Sequence, residues 1–288
     1  MERLINVDMK EYTSFRAGGK ADLMLIPETA EELKHALRET AESGTDFVLL
    51  GNGSNTLVRD EGFHGTIIHL GTGFSAVEKK GNRLRCGAAA LMSAVADAAM
   101  KYGLSGFENI SGIPGSIGGA VFMDAGAYGT EIRDVIVSAE VVRRDGSDIY
   151  TVTVDDMDLS YRHSQFQETG DVVISIEIEL EPADPQEISK KMKEMTEKRN
   201  SRQPLQYPSA GSFFKRPEGY FAGKLIQDAG LKGVTIGGAQ VSEQHAGFII
   251  NRGGATASDI IDLMHLVQNA VYDQFGVKLE PEVRIVGG

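Results

Sequence analysis

Six glycines fall within SGIPGSIGGAVFMDAGAYG, the stretch from Ser111 to Gly129: Gly112, Gly115, Gly118, Gly119, Gly126 and Gly129, with Gly106 just ahead of it. Glycine has the most backbone freedom to lose on folding. This density, without low-complexity bias around it, points to main chain drawn close to something flat or phosphorylated. Small neighbours (Ser116, Ala120, Ala125, Ala127) keep the approach open, and bare N–H groups can then face phosphate oxygens. The plain alternative is a packed run of turns with no ligand. A second run, Gly51-Asn-Gly-Ser-Asn-Thr56, follows the apolar segment Phe47–Leu50. Asn and Gly tolerate positive φ, so the run can form an anion nest; a hairpin turn would use the same residues. Neither run is a P-loop, because no Gly-Lys-Ser/Thr follows. Neither is the glycine fingerprint of a doubly wound dinucleotide fold. A dinucleotide would need another architecture, with two loops gripping a long ligand that carries a pyrophosphate at its middle.

The elements that must position these loops are legible in outline. Thr29-Ala-Glu-Glu32 reads as a capping box, Leu33, Ala36, Leu37 and Ala41 share one face, and Gly44 stops the helix. Phe47–Leu50 and Thr66–Leu70 read as buried strands. A second helix is expected from about Ala89 to Tyr102, with Leu91, Val95, Ala98 and Tyr102 as its stripe and Gly103 closing it. Strands are expected near 136–142 and 149–154. Val172–Leu180 alternates, with Val172, Ile174, Ile176, Ile178 and Leu180 on one face, as a half-exposed strand would. Asp184 and Pro185 open a charged helix to about Arg199, with a thin apolar stripe of Ile188, Met192 and Met195, read as a surface bridge. After an extended 203–208 come a helix at about 219–229 and strands near 234–241 and 246–251. A capped helix from Thr256 to Gly276 buries Ile260, Met264, Val267, Val271 and Phe275, and a last strand spans Glu282–Val286.

The chain of 288 residues is 41% apolar and 24% charged, ordinary globular composition with room for a sizeable core. Its net charge of -12 argues against nucleic acid as a partner. The single cysteine, Cys86, allows no internal disulfide, and the six histidines have no metal-ligand spacing, so no metal is assigned. With no signal segment or membrane span in view, a cytoplasmic protein acting as a monomer is expected.

Several ordered segments carry a family resemblance. Leu49-Leu-Gly-Asn-Gly-Ser-Asn-Thr56, Ser111–Ala120 and Asp124-Ala-Gly-Ala-Tyr-Gly129 resemble the FAD-binding loops of the UDP-N-acetylenolpyruvoylglucosamine reductase (MurB) family. The likeness continues through Tyr161-Arg-His-Ser164, Ala210-Gly-Ser-Phe-Phe-Lys215, Ala222-Gly-Lys-Leu-Ile226, Gly230-Leu-Lys-Gly233, His245–Asn251 and Leu279–Gly287. It covers nearly the whole chain, in the family's order. The resemblance implies an α+β fold. Its FAD-binding domain, of the vanillyl-alcohol-oxidase (PCMH) type, would span 1–181 in two subdomains split near 70. A smaller α/β substrate-binding domain would follow over 182–288, its last strand returning to the active site. The short spacing from Tyr161 to Ser212 resembles the shorter second subtype, which lacks a capping loop.

The activity implied is reduction of UDP-N-acetylglucosamine enolpyruvate to UDP-N-acetylmuramate, in peptidoglycan precursor synthesis, with FAD as cofactor and NADPH as co-substrate. By motif position Gly51, Asn52, Gly53, Ser54, Asn55, Thr56, Gly112, Pro114, Gly115, Ser116, Gly118, Gly119, Gly126 and Tyr128 would bind the flavin nucleotide. Arg162 would face the growing enolate charge, Ser212 would donate a proton to carbon, and Glu282 would hydrogen-bond the carboxylate. Lys215, Arg216, Lys232 and His245 would hold the sugar nucleotide. Arg216 and Asp124 depart from the first subtype's and many members' Asn at these places. Two competing readings are an FAD oxidase of a sugar or alcohol on the same fold, and a flavin-free nucleotide-sugar binding protein.

Overall fold

The computed structural model describes residues 1–288. Two compact units are each assembled from separated stretches: Met1–Leu4, Leu23–Asn52 and Gly65–Arg199 in one, Ile5–Asp22, Gly53–His64 and Asn200–Gly288 in the other. These bounds differ from the 1–181 and 182–288 division read from the sequence. Residues 5–22 and 53–64 count with the carboxy-terminal stretch, and the charged helix counts with the amino-terminal one up to Arg199. The cause is core membership. Phe15, Ala17 and Leu57 are buried among Ala210, Phe213, Leu225 and Val267, contacts that no local pattern announces.

In the first unit, helix α1 (Ala30–Ser43) is capped by the Thr29 hydroxyl, which accepts from Glu32 N, and ends at Gly44 in the left-handed conformation. Glu32 turns its own carboxylate to Glu28 N, so only half of the expected capping box forms. Strand Phe47–Leu50 runs parallel to Thr66–His69. A five-stranded antiparallel sheet has the order Ile149–Thr153, Ile136–Val142, Val172–Glu179, Arg83–Gly87, Val77–Lys80. Its central strand is buried on both sides over Val172–Ile176, not half-exposed. Arg83 and Arg85 lie across the face read as open, paired with Glu177, Glu179 and Glu140.

Helix α2 (Met92–Lys101) is shorter than expected and buries Met92, Val95, Ala96 and Ala99. Leu91 and Tyr102, expected on that stripe, are 45% and 43% exposed. The alanines are apolar on every side of this helix, so the sequence left its phase open. Helices α3 (Ile117–Phe122), α4 (Phe166–Thr169) and α5 (Pro185–Arg202) complete the unit's helical set.

In the second unit, Thr235–Ile236, Ala239–Val241 and Ile249–Asn251 form an antiparallel meander. Gly237 and Gly238 split what reads as one strand into a hairpin, with φ +51° at Gly237. Helices α6 (Ala222–Asp228) and α7 (Ala257–Phe275) belong to the same core; α7 opens with a full capping box between Thr256 and Asp259. Strand Arg284–Val286 pairs in parallel with Thr56–Val58. No helix is long and apolar enough to cross a membrane.

Candidate active site

The glycine run of the first unit is partly committed to its own scaffold. Ile117 N and Gly118 N donate to the carbonyls of Ala90 and Ala88, and Met92 N donates to Gly115 O. A Cβ on Gly118 would stand 2.9 Å from the Ala88 Cβ, so this glycine lets α3 lie flat against the segment before α2. Its N–H is not available to a ligand. The N–H groups of Gly112, Gly115 and Ser116, by contrast, donate no hydrogen bond within the protein. Gly115 sits at φ +139°, where a side chain is strained. Ser116 caps α3, its hydroxyl accepting from Gly119 N at 3.4 Å.

The two loops singled out in the sequence meet here. A Cβ on Gly51 would fall 2.7 Å from the Ser116 Oγ. Further on, Gly126–Ala127 pairs with Thr130–Glu131, and the tip between them places Tyr128 and Gly129 at positive φ. Asn109 Nδ2 braces that tip by donating to Thr130 Oγ1 at 2.9 Å and to Tyr128 O at 3.4 Å. Small residues, close main chain and unpaired N–H donors are what a pyrophosphate cradle requires. The residues present fit FAD.

One residue of this cradle escaped the sequence reading. Arg199, in the last turn of α5, is half-buried, and its Cδ lies 3.3 Å from the place a Gly112 Cβ would take. Burial lowers its pKa, opposed by the nearby Tyr128. It makes no ion pair and no hydrogen bond. A signal existed: Arg199 follows Met195 by four, so it continues the helix's thin apolar stripe.

Arg162 belongs to the same unit. It occupies a turn closed by mutual Ser160 and His163 backbone hydrogen bonds, with φ +59° and its guanidinium 4.8 Å from the Tyr161 ring. Asp124 is wholly buried beside it. Burial pushes the Asp124 carboxyl up, opposed by a hydrogen bond from Arg133 N at 3.0 Å and by the charges of Arg133 and Arg162. The Asp124 Oδ2 has only the Arg133 Nε ion pair at 3.4 Å.

In the second unit the segments that carry Ser212 and Glu282 pair through their backbones. Phe214 faces Pro281, Glu282 N donates to Phe213 O, and Lys215 N donates to Glu280 O, both at 2.8 Å. Glu282 therefore lies opposite Phe213, one residue on from Ser212 along the chain. Ser212 is exposed and follows Gly211, which takes φ +77°. Lys215, half-buried, sits 3.8 Å from Glu280. Gly53 and Asn55 support this arrangement. Gly53 O accepts from Ser14 N, and a Cβ on Gly53 would strike Tyr12 O. Asn55 Nδ2 donates to Glu282 O at 3.1 Å and Asn55 O accepts from Arg284 N at 3.0 Å.

Arg216 stacks on Phe221 at 3.9 Å, and its Nε donates to Tyr220 O at 3.3 Å. Burial, and then the charge of Lys232, hold the His245 ring below its ordinary pKa, so it is neutral at pH 7. Its Nδ1 accepts from Gly247 N at 3.1 Å, which puts the proton on Nε2.

The chain is similar to known proteins over nearly its whole length. The model of an FAD binding domain matches residues 21–151, and that of the UDP-N-acetylenolpyruvoylglucosamine reductase C-terminal domain matches 203–286. A UDP-N-acetylenolpyruvoylglucosamine reductase of Alkaliphilus oremlandii is 48% identical over 99% of this chain and 93% of its own length. That of Clostridioides difficile is 44% identical over 98% and 93%. The crystal structure of the MurB reductase from Thermus caldophilus superposes with a TM-score of 0.85 at 35% identity, covering 99% of this chain and 98% of that one. The chain thus shares its fold with that reductase, carries an FAD-binding domain in its amino-terminal half, and belongs to the UDP-N-acetylenolpyruvoylglucosamine reductase family.

Proposed function

We propose that this protein reduces UDP-N-acetylglucosamine enolpyruvate to UDP-N-acetylmuramate with NADPH and FAD, in the cytoplasm and as a monomer. The observation that supports the proposal is the backbone pairing of the segment around Ser212 with the segment around Glu282, both on the family's own motifs. FAD would be held by Gly51, Gly112, Gly115, Ser116 and Tyr128, with Arg199 added to the residues read from sequence. When bound, it supplies the hydride acceptor and donor that no side chain can provide. In domain terms, the unit that runs to Arg199 would chiefly serve the flavin and the unit that includes Asn200–Gly288 the sugar nucleotide.

The remaining work belongs to the chain. Adding hydride to the vinyl CH2 leaves negative charge on the neighbouring carbon and its carboxylate. Arg162 offers a fixed fork of donors for that charge. Ser212 delivers a proton to the carbon, and the Lys215 charge lowers the cost of the alkoxide it leaves. Glu282 hydrogen-bonds the substrate carboxylate. Lys215, Arg216 and Lys232 neutralise the pyrophosphate, and the His245 Nε2–H donates to the sugar nucleotide.

The decisive variant is Ser212→Ala. Anaerobic bleaching of the flavin by NADPH should keep its rate, while recolouring by the enolpyruvyl sugar nucleotide should slow by ~10²–10³. Equal loss in both half-reactions would contradict the proton-donor role. A purified protein that stays colourless after FAD is supplied would overturn the reading as a whole.

A further inference from the structure

We propose that Gln167 is the positioning residue for Arg162, a step that rests on the role given to Arg162 above. Tyr161 and Arg162 form the tip of a two-residue turn, closed by His163 N to Ser160 O at 2.9 Å and Ser160 N to His163 O at 3.2 Å. Arg162 takes φ +59° at the second tip position, a place that favours glycine. A non-glycine residue persists in such a conformation only when its surroundings fix it. The side chain must therefore be needed here, and something must hold its backbone.

The helix that follows supplies the holder. Gln167, on α4, donates through one nitrogen to two carbonyls, Arg162 O at 3.0 Å and Phe122 O at 2.8 Å. Phe122 is the last residue of α3, so this amide ties the Arg162 peptide to the end of that helix, within the glycine run. Ser164 Oγ donates to the same Phe122 carbonyl at 2.8 Å from a fully buried position. Gln167 is itself anchored, because its neighbour Phe166 is buried and Gln165 N donates to Met157 O at 2.8 Å. Both partners of the Gln167 amide are acceptors, which settles that the nitrogen faces them. A carboxylate at 167 would set oxygen against oxygen. Fixing the peptide after Arg162 fixes the direction of its Cα–Cβ bond, and a guanidinium on a four-bond stem keeps its aim only if that root is held.

The test uses the holoenzyme and compares Gln167→Ala, Gln167→Glu, Arg162→Lys and Gln167→Ala combined with Arg162→Lys. Gln167→Ala should slow flavin recolouring by the enolpyruvyl sugar nucleotide about tenfold or more, and Gln167→Glu further, since misplacement by an ångström is costly. Flavin reduction by NADPH and KM for the sugar nucleotide should stay within about twofold. In the Arg162→Lys background, Gln167→Ala should add less than about twofold, because its effect runs through the arginine. Ser164→Ala, which removes only the second tie to Phe122, should show the same ordering with a smaller loss. Loss in Arg162→Lys with none in Gln167→Ala, or losses that multiply independently, would overturn the positioning role alone. No loss in Arg162→Lys would overturn the role of Arg162 itself, and this proposal with it.

Discussion

A half-buried guanidinium without an ion pair or hydrogen bond is expensive unless something anionic comes to it. Arg199 is such a residue, set against Gly112 and Tyr128. Arg199→Ala should leave the melting temperature of FAD-free protein unchanged or slightly raised, since a desolvated charge is removed. FAD affinity, read by quenching of flavin fluorescence, should fall by about tenfold, the worth of one charge-assisted contact. A variant that unfolds more readily without FAD and binds it as well as the parent would show Arg199 to be structural. Other residues carry two duties. Gly118 was read as part of a phosphate loop, yet its N–H is spent on Ala88 and its missing side chain serves packing. Glycine at a close approach looks the same in sequence whether the neighbour is a ligand or the protein's own chain.

At the scale of elements, α5 is held through Glu108. That carboxylate is almost fully buried. Burial pushes its pKa up, but hydrogen bonds from Ser105 Oγ and Gly106 N, with the charge of Lys191 on α5, outweigh it and hold the value below the ordinary range. The folded state thus favours the ionised form. The stability Glu108 supplies is present above the unfolded-state pKa and is lost as pH falls through the lower folded one. Glu108→Gln should cost about 1–3 kcal/mol at pH 7. The gap in melting temperature from the parent should narrow as pH drops below about 4; a gap independent of pH would deny the carboxylate this role.

Element identities were largely legible: both ends of α7 follow from Thr256, Asp259 and Gly276, and strand Ile136–Val142 lies where its pattern put it. Faces were less so. Alternation in Val172–Leu180 suggested an open side, because Ser175, Glu177 and Glu179 read as solvent-facing. In the sheet the strand has neighbours on both edges and paired arginines across that face.

For the molecule as a whole, discontinuity governs what can stand alone. Residues 203–286 match a family domain model, yet their core includes Phe15, Ala17 and Leu57, and Arg284–Val286 has its partner strand at Thr56–Val58. A fragment 200–288 expressed by itself should lack a cooperative thermal transition, while the intact chain shows one; a sharp transition in the fragment would count against this reading. The motifs of the site could be read in order along the chain because each is local. The return of residues 5–22 and 53–64 to the carboxy-terminal core could not, since long-range pairing leaves no periodic trace.

That return has a kinetic side. Asn55 holds the Glu282 carbonyl across a separation of 227 residues, and strand Arg284–Val286 closes beside Thr56–Val58. Closing so long an interval is entropically slow. Thr56–Val58 must therefore wait for nearly all of the chain that follows before its partner strand arrives. Until then the growing polypeptide can shape its glycine cradle but has no finished catalyst to offer.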